Sequence, residues 1–204
     1  MARCLSTLNL RCNPFGELTR RERRDLAVGD FESLAKELVI PGTALQIRGA
    51  CGRGKSSHLH GLAAAVPKAQ YSRVDHGGEV SRGGIFLMDE ADHFGVARRW
   101  WYLRRARSVA VATHSDMTWF LRRCGFRVVD VPVAQGDLAR LRKIVDARLA
   151  WARLADGPVP VPSDRLLQRL LDVHADDMRA VEGALYEWVA EGAEDVEGSV
   201  NGIC

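Results

Sequence analysis

One glycine-rich loop constrains the fold of this chain more than any other feature. It has the spacing G-x-x-x-x-G-K-S and follows a short apolar run at residues 44–47. Glycines let the backbone wrap closely around a phosphate, and a helix that begins near Gly54 adds its positive dipole end. A strand, this loop and a helix in that order predict a phosphate-binding site. The loop residues are Gly49, Ala50, Cys51, Gly52, Arg53, Gly54, Lys55, Ser56 and Ser57.

Two side chains of the loop are suited to contact the bound group directly. Lys55 supplies a mobile cation for the phosphate oxygens, and the hydroxyl of Ser56 is an oxygen ligand of the kind that Mg²⁺ prefers. The loop therefore predicts that a nucleotide phosphate and Mg²⁺ bind together, and a merely structural turn is the alternative.

An acidic pair follows a second apolar run, residues 85–88. Ligands bind beyond the carboxyl ends of strands in open α/β sheets, which is where Asp89 and Glu90 are expected. Asp89, 34 residues after Lys55, is suited to hold the hydrated Mg²⁺ that Ser56 also touches. Glu90 is predicted to polarise an attacking water, and a solvated strand end is the alternative for it.

A third apolar run, residues 108–112, ends in polar side chains. Thr113 and His114 are expected near the terminal phosphate of a bound nucleotide, where they would report its presence. The alternative is that the polar cluster caps the next helix through Ser115 or Asp116.

Apolar runs and helical segments alternate over the first two-thirds of the chain. Continuous apolar runs are typical of strands in a parallel sheet that is covered on both faces. We therefore predict an α/β fold, a parallel sheet flanked by helices, followed by a small all-helical domain. The predicted strands cover residues 44–47, 69–74, 85–88, 109–112 and 126–133, and the helices after 136 cover 137–154, 163–173 and 176–189.

The predicted domain organisation has three parts. Residues 1–135 form the α/β domain with an N-terminal entry arm, 136–190 a helical lid, and 191–204 an acidic flexible tail. Within the first part, Thr19 and Glu22 have capping-box spacing, and one helix is expected to run from there to Pro41-Gly42. The boundary is placed near residues 134–136.

Composition narrows the class of protein. The 204 residues include five scattered cysteines without a C-x-x-C pair, which is typical of reduced thiols in a cytoplasmic protein rather than of a disulfide or zinc framework. The sequence contains no run of about 18 apolar residues, so no membrane span is expected. Residues 1–11 lack the long apolar stretch of a secretory signal.

Charge is distributed unevenly around a net charge of +3. Residues 94–148 contain 12 Lys or Arg against 4 Asp or Glu, whereas residues 172–204 contain 9 acids and one Arg. The basic stretch 98–107 interleaves arginines with aromatic residues. It fits contact with DNA or RNA, and it fits equally a solvated face or a subunit interface.

Taken together, the motifs resemble those of the AAA+ ATPases, within the additional-strand catalytic-glutamate branch of P-loop ATPases. Residues 177–185 are similar to the sensor-2 helix of the DnaA-type replication initiators, and the resemblance implies that Arg179 reaches the nucleotide phosphates. It also implies that Asn13 and Phe15 lie in an arm that closes over the adenine. The segment 120–126 resembles the one that presents an arginine finger to a neighbouring subunit, with Arg122 and Arg123 as candidates.

The resemblance implies an ATPase that couples Mg-ATP hydrolysis to assembly or remodelling, with a homo-oligomer, a DNA or protein client and no membrane. The short spacing between Lys55 and Asp89 makes pore loops for threading polypeptide unexpected. Two alternatives stay open. One is a slowly hydrolysing ATP-gated switch that acts through protein contacts, and the other is a small-molecule phosphotransferase.

Overall fold

The computed structural model describes residues 4–73, 81–133, 137–175 and 177–193. It divides into two compact units, one of residues 18–135 and one that joins residues 1–17 to residues 136–204. The predicted boundary at 134–136 and the tail from residue 194 onward lie outside the described residues.

The first unit is built on a five-stranded parallel sheet. Because β4 pairs with both β1 and β3, the strand order is β2-β3-β4-β1-β5, and β4 lies between the strand before the glycine-rich loop and the strand before the acidic pair. The carboxyl ends of all three strands therefore meet at one edge. The strands are β1 (Thr43–Arg48), β2 (Gln70–Arg73), β3 (Gly84–Asp89), β4 (Ala106–Thr113) and β5 (Arg127–Pro132).

Helices cover both faces of this sheet. Side chains alternate between the faces along each strand, so that Leu45 and Ile47 pack against one helical layer while Ala44 packs against the other. The first layer contains α2 (Phe31–Leu38) and α3 (Lys55–Ala65), and the second contains α4 (Val96–Leu103) and α5 (Thr118–Arg123). The α/β class predicted from the continuous apolar runs is confirmed.

The segment before β1 forms two helices, not the single helix that the sequence predicts. The capping box is present, since Thr19 Oγ1 accepts from Glu22 N at 3.3 Å, but α1 (Arg20–Asp25) ends after one and a half turns. Asp30 opens α2 by accepting from Ser33 N at 3.1 Å. A second cap inside the predicted helix, with Gly29 just before it, explains the break.

Close packing of α2 on α3 depends on a glycine. A Cβ atom built at Gly61 would lie 2.3 Å from the ring of Phe31, closer than any real contact. The ring therefore packs directly over the α3 backbone, which seats the helix that follows the glycine-rich loop.

The second unit consists of α6 (Leu138–Ala152), α7 (Asp164–His174) and α8 (Met178–Ala190) together with the N-terminal segment. The sequence assigns this segment to the α/β domain, but the structure packs it with the helices, because Leu10 and Phe15 are buried in their apolar core. Buried Arg148 also donates to Pro14 O at 3.1 Å and pairs with Glu182 at 2.7 Å.

None of the helices in the described ranges has the length and apolar character required to cross a lipid bilayer. Cysteines 4, 12, 51 and 124 are all free thiols.

Candidate functional site

The glycine-rich loop lies between β1 and α3 at the carboxyl edge of the sheet. Gly52 and Gly54 have φ angles of +79° and +84°, a left-handed conformation that favours glycine. At the start of the loop, Gly49 N donates to Thr113 O at 3.3 Å, which ties the loop to the end of β4. The predicted order of strand, loop and helix is present.

Lys55 is the first residue of α3 and is only 8% exposed. Its ammonium group donates to Gly49 O and Ala50 O, each at 2.8 Å, and lies 3.5 Å from Nδ1 of His114. Burial lowers the pKa of Lys55, and the nearby carboxylates, Asp89 among them, oppose that shift. The cation is thus held at the mouth of the loop by carbonyl oxygens.

Asp89 ends β3 and is 2% exposed. Its Oδ1 accepts from Ser56 Oγ and from Glu90 N, each at 3.1 Å, and its Oδ2 accepts from the hydroxyl of Tyr71 at 2.7 Å. Burial and the bond to Asp89 raise the pKa of Tyr71, which keeps its hydroxyl protonated as the donor. The structure therefore brings together the hydroxyl and the carboxylate that the sequence predicts as metal ligands.

The donor set of Ser56 and Asp89 fits Mg²⁺. Both side chains offer oxygen, and Mg²⁺ is typically held by one or two protein oxygens together with water and substrate phosphate. Over the described ranges, no three His, Cys, Asp or Glu side chains group closely enough to hold a metal by themselves. Both findings are consistent with a metal site in which phosphate oxygens and water would supply the remaining ligands.

Glu90 follows Asp89 with a left-handed backbone, φ +54°, which is uncommon for a residue other than glycine. Its Oε1 accepts from Arg73 Nη2 at 3.0 Å, and its Oε2 lies 3.9 Å from Nδ1 of His93. The side chain is 30% exposed. Residues with a strained backbone cluster at functional sites, and the contact with Arg73 places the carboxylate beside the end of β2.

The end of β4 is held by a residue that the sequence analysis did not assign. Oδ2 of Asp92 accepts from His114 N at 2.9 Å and from Ser115 N at 3.2 Å, and these backbone donors lower the pKa of Asp92 although burial, the largest single cause, raises it. Thr113 is fully buried, and the ring of His114 stacks on that of His93. Thr113 and His114 therefore lie at the same edge as the loop and the acidic pair.

The capping alternative for this strand end is not what the structure shows. The N-cap position of α5 is Met117, and no side chain caps the helix. Oδ1 of Asp116 accepts from Thr118 N at 2.8 Å and so closes the turn before α5, and this bonding with Thr118 lowers the pKa of Asp116 to about 2. A phosphate-facing position for Thr113 and His114 stays a prediction.

A buried amide supports the same edge and was missed from sequence. Gln46, in the middle of β1, is fully buried, and its Nε2 donates to Asp130 Oδ1 at 2.6 Å and to Thr118 Oγ1 at 3.1 Å. Its Oε1 accepts from Met117 N at 2.7 Å. The available signal was a single polar residue within an apolar strand, which needs hydrogen-bond partners when it is buried.

The basic stretch places its arginines on its own aromatic rings. The guanidinium of Arg105 lies 4.4 Å from the Trp101 ring centre, and that of Arg104 lies 5.5 Å from the Trp100 ring centre. Trp101 is 46% exposed, and Trp119 of α5 is 75% exposed. Tryptophan and arginine are enriched at binding interfaces. The surface is therefore suited to contact either a nucleic acid or another subunit.

Five further residues were predicted to act on the nucleotide, and each is described within its own unit. Arg122 and Arg123 end α5 with exposed side chains. Arg179 is exposed in α8, while Asn13 donates to Tyr186 O at 2.9 Å and Phe15 is buried in the core of the helical unit. Their roles toward a nucleotide stay predictions.

Solved structures of other proteins resemble the fold of this chain. The chain is similar to the replication initiator DnaA bound to AMPPCP and single-stranded DNA, with a TM-score of 0.53, 15% identity, and coverage of 83% of this chain and 65% of that one. It is also similar to AMPPCP-bound DnaA from Aquifex aeolicus, with a TM-score of 0.51, 16% identity, and coverage of 81% and 64%. No family model and no curated protein matches the sequence.

At these identities the likeness concerns the fold. The fold resembles that of the two DnaA structures, which agrees with the resemblance that the motifs predict. The chain spans slightly less than two-thirds of the length of either DnaA structure.

Proposed function

We propose that this chain is an ATPase that binds ATP with Mg²⁺ and hydrolyses it. The observation that carries the proposal is the contact of Ser56 Oγ with Asp89 Oδ1 at 3.1 Å, beside the buried ammonium of Lys55. A cation, a proposed metal-ligating pair and a second carboxylate, that of Glu90, then share one edge of the sheet. The fold, which is one that binds nucleotide in the two DnaA structures, supports the same proposal.

Each residue has a distinct task in this proposal. Lys55 exchanges its bonds to the Gly49 and Ala50 carbonyls for bonds to phosphate oxygens, and the N–H groups of the loop surround the same anion. Ser56 and Asp89 would hold Mg²⁺, which supplies positive charge to the phosphates when it is bound. Glu90 orients a water and accepts its proton. Thr113 and His114 complete the polar edge.

The direct experiment measures binding and turnover on the purified chain. Titration with a fluorescent ATP analogue, with Mg²⁺ and with EDTA, is expected to show nucleotide binding that Mg²⁺ strengthens. Phosphate release is expected to require Mg²⁺ as well. A chain that binds no nucleotide under either condition would contradict the proposal.

A slowly hydrolysing switch is the second candidate, and one contact favours it. Arg73 holds Oε1 of Glu90 at 3.0 Å, and an ion pair competes with any role of that carboxylate as a base. If the pair persists when ATP is bound, the chain binds ATP tightly and turns over slowly. Comparing the single-turnover rate with the nucleotide dissociation rate separates the two candidates.

We further propose that hydrolysis needs an arginine from a second copy, provided by Arg122 or Arg123. Both side chains are exposed at the end of α5, and an arginine supplied in trans contributes about 10³–10⁵ in rate at related phosphoryl-transfer sites. The uneven charge of the chain is consistent with head-to-tail association, which forms rings or filaments.

This proposal predicts that specific activity rises with protein concentration. The double variant Arg122→Ala/Arg123→Ala is expected to bind ATP normally but to lose most of its turnover, and mixtures with the wild type should lose activity non-linearly. Arg21→Ala/Arg24→Ala, which removes two exposed arginines of α1, is the matched control. If the rate per subunit stays constant on dilution and the protein is a monomer throughout by size-exclusion chromatography, no second copy supplies an arginine.

A separate prediction concerns Arg179 in the helical unit. We expect Arg179→Ala to weaken ATP affinity or the ATP-dependent protection of α8 from hydrogen exchange, because a cation that would reach the phosphates is removed. Lys143→Ala removes another exposed cation of the same unit and should have no effect. Unchanged affinity and protection in Arg179→Ala would show that α8 does not sense the nucleotide through this residue.

The client of such an ATPase is proposed to be DNA, contacted through the exposed arginines and tryptophans around α4. The similar DnaA structure contains single-stranded DNA, which supports testing that ligand first. Turnover measured with and without single-stranded DNA, at several salt concentrations, tests the proposal. A response that is insensitive to DNA would favour a protein client.

A further inference from the structure

The metal-ligating carboxylate has a partner that lies outside every motif of the sequence. Tyr71 donates its hydroxyl to Oδ2 of Asp89 at 2.7 Å, while Oδ1 faces Ser56. Each oxygen of the carboxylate is therefore held by a different hydroxyl. A carboxylate with two fixed oxygens cannot rotate about its Cβ–Cγ bond without breaking one of these contacts.

Tyr71 is held in place both by its strand and by a contact with its ring. β2 pairs with β3 in parallel, with Tyr71 opposite Leu87, which places the side chain two residues before the strand end. The imidazole of His60 stacks on the ring with centres 4.9 Å apart and planes at 18°. His60 is buried, at 8% exposure, and its imidazole covers one face of the Tyr71 ring.

One helix face provides both supports. Ser56 and His60 are four residues apart in α3, a spacing that places their side chains on the same face of a helix. Ser56 contacts Oδ1 of Asp89 directly, and His60 contacts the ring whose hydroxyl binds Oδ2. The helix that follows the glycine-rich loop therefore positions the carboxylate at both oxygens.

We propose that Tyr71, supported by His60, is a positioning residue for the metal site: its hydroxyl orients Asp89 so that Oδ1 is presented together with the Ser56 hydroxyl to Mg²⁺. The inference rests on the proposed function, because it concerns the same metal site. Partners that orient a metal ligand typically contribute 10–100-fold to metal affinity. The effect should appear in the affinity for the metal and not in the affinity for metal-free nucleotide.

The test is the variant Tyr71→Phe, which removes only the hydroxyl and keeps the ring on His60. With Mn²⁺ as a paramagnetic probe and a non-hydrolysable ATP analogue present, the metal dissociation constant measured by electron paramagnetic resonance should rise about 10–100-fold. Affinity for the analogue in EDTA should be unchanged. Added Mg²⁺ should restore turnover toward the wild-type value.

The matched control is Tyr102→Phe, which removes the hydroxyl of a second tyrosine of the same unit, one that is buried. Its ring packs between Phe86 and Phe94, and metal affinity should not change. His60→Ala is the second variant, and it should raise the metal dissociation constant because it keeps the hydroxyl of Tyr71 but removes the stacked ring that holds it in position. It also keeps the inference testable if Tyr71→Phe lowers the thermal midpoint.

The wild-type measurement separates this inference from the function it rests on. A wild type that binds the analogue but gains nothing from metal would contradict the proposed metal site itself. A wild type that binds metal, with Tyr71→Phe and His60→Ala binding it equally well, would overturn only the role of Tyr71. Equal losses of affinity with metal and in EDTA would also overturn it, since they would indicate general damage to the loop.

Discussion

Replacing Lys55 with alanine is expected to abolish turnover and to weaken ATP binding about 10- to 150-fold. A hydrogen bond to a charged group contributes about 1.5–3 kcal/mol, and Lys55 is the buried cation at the mouth of the loop. Removing it takes this positive charge away from the phosphates and leaves the negative carboxylate of Asp89 nearby. Titration with a fluorescent ATP analogue measures the loss of affinity, and phosphate release measures the loss of turnover.

Lys68→Ala is the control for this prediction. Lys68 is an exposed lysine of the same unit, in the turn after α3, and its removal should change neither measurement. Because Lys55 also donates to Gly49 O and Ala50 O, the thermal midpoint of the variant must be compared with that of the wild type. Near-normal affinity and rate in a folded Lys55→Ala protein would contradict the assignment of the phosphate loop.

Replacing Glu90 with glutamine is expected to leave ATP bound while hydrolysis falls about 10²- to 10⁴-fold. The amide has nearly the same shape, and its oxygen can still accept from Arg73, so the local geometry should persist. It cannot accept a proton from water as a carboxylate does. Equilibrium binding should therefore match that of the wild type while single-turnover phosphate release becomes slow.

Glu32→Gln removes an exposed carboxylate of α2 that pairs with Lys36, and it should hydrolyse ATP at the wild-type rate. If Glu90→Gln also hydrolyses at that rate, Glu90 is not the base, and its ion pair with Arg73 is structural. If binding fails together with turnover, the carboxylate is needed to form the site rather than to activate water.

Local motifs were sufficient to predict the centre of the site. The loop, Asp89 and Glu90 could be predicted to lie at one edge of the sheet because each is defined by residues adjacent in the chain, an apolar strand followed at once by a polar group. The α/β class followed from continuous apolar runs for the same reason. The single helix predicted before β1 was wrong because Asp30 provides a second cap inside the periodic pattern.

The partners of these residues could not be predicted, since they come from other strands. Tyr71 and Arg73 reach Asp89 and Glu90 only because β2 lies beside β3, and no motif indicates that pairing. Asp92 holds the end of β4 for a similar reason. They lie in segments that carry no motif of their own, so the sequence does not indicate which of their side chains reach the site.

The sequence by itself determined the elements of this protein and the chemistry at the end of each strand, because backbone preference, capping and phosphate-loop geometry depend on neighbours in the chain. Only the tertiary structure decided which strand ends meet and which side chains hold them. The insertion of β4 between β1 and β3 brings Thr113 to Gly49, and buried polar groups at that edge, such as the carboxylate of Asp89, are paired with side chains of other elements. Those partners are set by strand order, a property of the whole sheet.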